Sequence, residues 1–170
     1  MILFLLILNL VSYPLPDTLS VGSQHLFYIE RSKDTNVIYY DLNKDKSGNF
    51  DAENPFNIYW VKNEKGGKKE SLTWIQNKYA YGLKILEKDS EHVVFQFAPY
   101  DKKIFILKKD DSGIYRIFSD PPQEEMYLEK IFIQIDGGSF WFPKIAHITL
   151  QGKCPKIGKV KTEIIKPHQP

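Results

Sequence analysis

Residues 43–54 read NKDKSGNFDAEN, and Asn43, Asp45, Ser47, Gly48 and Asp51 fall at the ligand and turn offsets of a calcium-binding EF-hand loop. Gly48 takes the position that needs a sharp turn. The departures are in the ligands: the first position is neutral Asn43, and the position that requires a bidentate Glu is Asn54, with Glu53 one residue early. The flanks weigh more. VIYYDL enters the loop and PFNIYW leaves it, both are strand sequences, and Pro55 blocks an exiting helix at its first turn. The loop therefore reads as a polar connection between strands. No cofactor is expected, and a weakly held calcium ion on Asn43, Asp45, Ser47 and Asp51 is the one metal candidate.

Other chemistry is sparse. The four histidines (His25, His92, His147 and His168) form no H-x-H or H-E-x-x-H pattern, and His147 lies inside the apolar stretch IAHITL. There is no G-x-S-x-G, P-loop or G-x-G-x-x-G motif. Cys154 is the only cysteine, which excludes an intrachain disulfide and a thiolate zinc site. Glu124 with Glu125 and Asp110 with Asp111 lie in polar turns, where solvent keeps them ionised. An enzyme is disfavoured, because its site would have to be assembled from distant strands.

The elements that would position any site are strands. Aromatic residues make up 14% of the 170 residues, a bias toward β structure. Apolar or β-branched runs separated by turn signals predict strands near 25–31, 36–42, 56–62, 83–88, 92–98, 103–109, 113–118, 126–135, 144–151 and 158–165. One helix is predicted over 74–81. Thr73 and Gln76 form a T-x-x-Q capping box, Gly82 stands at the C-terminal glycine position, and Leu72, Ile75 and Tyr79 recur on one face. The expected fold is all-β and mainly antiparallel: a lipocalin-like barrel or curved sandwich of eight to ten strands with this short helix packed on it.

The N-terminus, MILFLLILNLVSYPLP, carries an apolar run of signal-peptide length, too short to span a bilayer. The expected organisation is a signal peptide at 1–22, a single β-rich domain at 23–166 and a tail at 167–170. The mature protein would be secreted or periplasmic, with no transmembrane segment. Net charge is +2, and only Arg31 and Arg116 are arginine, so nucleic-acid binding is not expected.

Four stretches, LFYIERSKDTNVIYYDLN, NPFNIYW, LTWIQNKYAYGL and LEKIFIQIDGGSFWFPKIAHITLQG, occur in an order and spacing that resembles the domain of unknown function 4833 family. The likeness runs from about His25 to Lys166. It implies a small, exported, β-rich domain and supplies no catalytic residues. The functional expectation is a non-catalytic binding or accessory protein for an unknown small ligand, with Arg31, Asn36, Trp60, Tyr81, Arg116 and His147 as candidate ligand residues. The alternative is a structural protein that meets an envelope partner through an edge strand or the lysine-rich C-terminal tail.

Overall fold

A computed structural model describes residues 23–120, 126–139 and 143–166. The N-terminal apolar run, Glu124 with Glu125, and His168 lie outside them. Eleven strands form one curled sheet, a half-barrel: β1 (Ser23–Arg31), β2 (Asp34–Asn43), β3 (Phe56–Lys62), β4 (Lys68–Ser71), β5 (Leu83–Lys88), β6 (Val93–Phe97), β7 (Tyr100–Lys109), β8 (Tyr115–Asp120), β9 (Tyr127–Gly138), β10 (Pro143–Lys153) and β11 (Val160–Ile165). The order is β4-β3-β2-β1-β9-β8-β7-β6-β5, and β10 pairs with both β9 and β11.

The all-β expectation holds, with one refinement: the sheet is mixed. Most consecutive strands pair antiparallel, with β4 and β5 at opposite edges, but β1 lies parallel to β9, Tyr28 beside Lys130 and Arg31 beside Ile133. The described residues also form one strand more than the upper bound of ten, the short lysine-rich β4.

Period-two alternation sets the inner face. Phe27 and Ile29 of β1, Ile38, Tyr40 and Leu42 of β2, and Val93, Phe95 and Phe97 of β6 are buried. Their rings fill the interior. Phe27 stacks on Tyr40 at 4.3 Å between centroids, Phe95 on Phe105 at 5.7 Å, and Phe97 stands edge-on to Phe27, Tyr40 and Phe105. Such offset and edge-to-face pairs add to what burial alone supplies.

Within this core Tyr40 Oη donates a 2.6 Å hydrogen bond to the Tyr81 carbonyl, and burial pushes its phenol well above the ordinary value. Tyr40→Phe leaves that carbonyl without its donor. We expect a loss of about 1–2 kcal/mol in urea unfolding, with the sheet otherwise intact.

The helix forms where expected, as α1 (Trp74–Gln76) running into a π-helical turn, Asn77–Tyr81. Its capping box is complete: Gln76 N donates to Thr73 Oγ1, and Thr73 N donates to Gln76 Oε1. Its buried face is not the expected one. The wider π turn rotates the register, so Ile75 and Tyr79 are exposed while Tyr81 is buried and Ala80 packs on the core. Gly82 is extended (φ −70°, ψ 164°) rather than left-handed.

Candidate functional site

Four of the six candidate ligand residues meet at one end of the half-barrel. Arg31 ends β1, and the turn into β2 sets Asp34 opposite it, so one guanidinium nitrogen pairs with the Asp34 carboxylate. The other donates to Tyr81 Oη at 2.7 Å. The guanidinium also lies over the Trp60 ring, 5.1 Å from its centroid, and Tyr81 meets Trp60 edge-on. Asn36 is buried within β2, with backbone N–H bonded to Asp34 Oδ1 and no positive φ, so it is a strand residue and not the left-handed turn residue its type suggests. Arg31 Nε and Asn36 Oδ1 are buried without a protein partner. The cluster ties the first hairpin to the helix, and its charge is balanced internally.

Arg116 and His147 lie elsewhere. His147 sits on β10 opposite Gln134, and among the described residues no carboxylate pairs with it. Arg116 lies over the Tyr127 ring at 4.3 Å and bonds Asp110 Oδ2 through Nε.

The loop 43–55 is a connection in which the carboxylates serve the backbone. Asp45 Oδ1 accepts from the N–H groups of Ser47 and Asn49, and Asp51 Oδ1 from those of Glu53 and Asn54. Asn43 Nδ2 donates to the Asn54 carbonyl, and Phe50 is buried against Tyr115. No cluster of three potential metal ligands occurs among the described residues.

One concavity is on the outer face. A groove of about 370 Å³ runs between β1, β8, β9 and β10, lined by His25, Tyr28, Arg116, Glu129, Lys130 and Gln151. Each charged member has a flank partner: Lys130 pairs with Glu30 at 2.5 Å, Glu129 accepts from Lys153, and Arg116 is held by Asp110. By contrast the apolar hollow under Tyr81, Phe97 and Ile131 measures about 70 Å³.

His25 reaches this groove through a bulge. Strict alternation from Phe27 and Ile29 would turn it inward, but the β1–β2 register slips at Leu26, so His25 pairs with Asp41 on the outer face. His25 Nδ1 lies 2.9 Å from Asp41 Oδ1, and Asp41, only 6% exposed, takes the Tyr59 hydroxyl on Oδ2 at 2.8 Å. Burial, then the Asp41 hydrogen bond and charge, push the Tyr59 phenol well above its ordinary value, so it stays a donor. Tyr28, Tyr39 and Tyr59 form a stacked ladder beside this trio, one ring per strand across β1, β2 and β3. Sequence reading missed His25, Asp41, Tyr59 and Lys130, which no local motif joins.

Asp110 gives the groove wall an acid-sensitive support. Burial pushes its carboxyl up, but bonds from the Ser112 hydroxyl, the backbone N–H groups of Ile114 and Ser112, and Arg116 outweigh this and hold it below the ordinary value. A depressed carboxyl contributes stability above the unfolded value, near 3.8, and loses it as pH falls through the folded one. Asp110→Asn is therefore expected to flatten part of the melting-temperature decline below about pH 4.

The fold and groove define a class: an all-β half-barrel with a filled core and a polar concavity on its convex side. Residues 27–163 match the profile of the family described as Domain of unknown function (DUF4833), and the chain belongs to that family. Searches of curated proteins and of solved structures return no significant match. No helix among the described residues is long and apolar enough to cross a membrane.

Proposed function

We propose that this is an exported binding protein for a small anionic ligand, held in the outer groove and not inside the barrel. One contrast carries the reading: the interior is packed with aromatic rings and keeps about 70 Å³, whereas the groove offers about 370 Å³. Ligand sites occupy roughly 300–1,000 Å³. The groove lining holds two cations, Arg116 and Lys130, against one carboxylate, Glu129, and Tyr28 supplies a ring face. Export rests on the N-terminal apolar run.

Titration of the mature protein with dimethyl phosphate, followed by thermal shift, tests this, because binding only to the native state raises the melting temperature. The rise should be absent in an Arg116→Gln/Lys130→Gln variant. Equal rises in both proteins, or none in either, count against the groove.

A second reading, an envelope partner, is favoured by β11. Among the described residues it pairs with β10 alone, and Val160 and Ile164 on it are exposed. Because the lysine-rich tail forms this strand, Ile164→Lys is a cleaner test than deletion. Unchanged partner capture would count against it.

A further inference from the structure

The trio His25, Asp41 and Tyr59 has the arrangement of a general acid–base unit. A histidine acts this way when one ring nitrogen is fixed by a carboxylate and the other faces the reacting group. Nδ1 is fixed by Asp41 at 2.9 Å, and the second carboxylate oxygen is fixed by Tyr59 at 2.8 Å. Asp41 thus sits buried with both oxygens bonded and only the imidazole open to the groove. His25 is 41% exposed at its side chain, and among the described residues Nε2 takes no hydrogen bond, while Tyr28 and Tyr39 flank the ring at 6.2 and 5.2 Å. Its orientation is built in, because the bulge at Leu26 turns the ring out of the core and onto Asp41. Bulges often re-aim side chains in this way beside active sites.

What the groove adds is two cations beside the imidazole, each shared with a carboxylate, Arg116 with Asp110 and Lys130 with Glu30, and the carboxylate Glu129 lines it as well. Arg116 and Lys130 line the same concavity as His25. A bound phosphodiester carries one negative charge in the ground state and gains more on its non-bridging oxygens as a nucleophile adds, and fixed cations favour that change.

Resting on the groove as the binding site, we propose that the protein hydrolyses a phosphodiester there, with His25 as general base. A water oxygen forms the new bond to phosphorus while its proton passes to His25 Nε2. The bond from phosphorus to the leaving oxygen, on the side opposite the attacking water, breaks; that oxygen takes its proton from solvent water, and Nε2 returns its proton to solvent. The products are a phosphomonoester and an alcohol, and nothing is oxidised or reduced. Asp41 stabilises the transient imidazolium and Tyr59 holds Asp41 in place, so both are positioning residues.

The probe is bis(p-nitrophenyl) phosphate, with hydrolysis followed by p-nitrophenol release and binding followed separately by thermal shift on the mature protein. Wild type should hydrolyse it above the buffer rate. His25→Gln should bind it equally but lose at least about 100-fold in kcat, the scale of general acid–base catalysis. Asp41→Asn should lower kcat with KM unchanged, a split that a merely structural defect would not give. Because Asp41 is buried, Tyr59→Phe keeps the test open should that variant fail to fold, and its kcat should fall less.

Two results overturn the proposal. If the probe binds wild type but is not hydrolysed, or if His25→Gln keeps the wild-type rate, His25 is no catalyst and the groove stands as a binding site only. If the probe does not bind, the groove reading falls with it.

Discussion

Gly82→Ala should lower stability by about 3 kcal/mol, the upper end for overpacking a tight site. A Cβ at Gly82 would lie 1.8 Å from the Asn77 carbonyl oxygen, 2.8 Å from its carbon and 2.6 Å from Asn77 Oδ1. The first two atoms belong to the backbone of the π turn, which cannot swing aside as a side chain could. The cause is close approach rather than dihedral freedom, since Gly82 is extended. Gly48→Ala separates the two mechanisms: a Cβ there meets nothing within 4 Å, yet φ is +81°. It should cost about 1 kcal/mol, the penalty of a left-handed alanine. Thermal melts should differ accordingly, with Gly82→Ala lowered by roughly 10 °C. A wild-type melt for Gly82→Ala would mean that the π turn is not in contact with Gly82.

Arg31→Met should cost about 2–3 kcal/mol. Breaking a buried pair costs more, but the Arg31 and Asp34 side chains keep 15% and 18% exposure, and solvent screens part of the loss. The variant leaves Asp34 unpaired, removes the donor to Tyr81 Oη and lifts the guanidinium off Trp60. Arg31→Lys should recover little, because one ammonium cannot reproduce the fork that reaches Asp34 and Tyr81 together. A double-mutant cycle with Asp34→Asn in urea is the decisive measurement. A coupling of about 1 kcal/mol or more is expected for the pair, and strictly additive losses would show that the ion pair contributes nothing.

These two sites mark how far the sequence could be read. The strands were legible because β2 and β6 alternate without interruption, and the helix because Thr73 and Gln76 announce its first turn. The buried face of the helix was not, since the register shift arises in a π turn that an ideal 3.6-residue period does not contain. Arg31, Trp60 and Tyr81 could be singled out within the stretches that resemble the family, and their meeting depends on β1, β3 and the helix converging. His25 with Asp41 was hidden for a sharper reason. A single inserted residue, Leu26, reverses the face of everything before it, and alternation counted back from Phe27 assigns His25 to the core. The groove brings His25 of β1 to Arg116 of β8 and Lys130 of β9, strands distant from β1 in sequence, so no local window holds all three.

The parallel pairing of β1 with β9 also sets an order in time. β1 is the first strand among the described residues, and one of its two edges has no main-chain partner until Lys130 to Ile133 have been synthesised. Contacts this distant in sequence close slowly. A growing chain therefore carries the first hairpin with an unpaired edge through most of synthesis. A chaperone that recognises exposed strands has that whole interval in which to bind it.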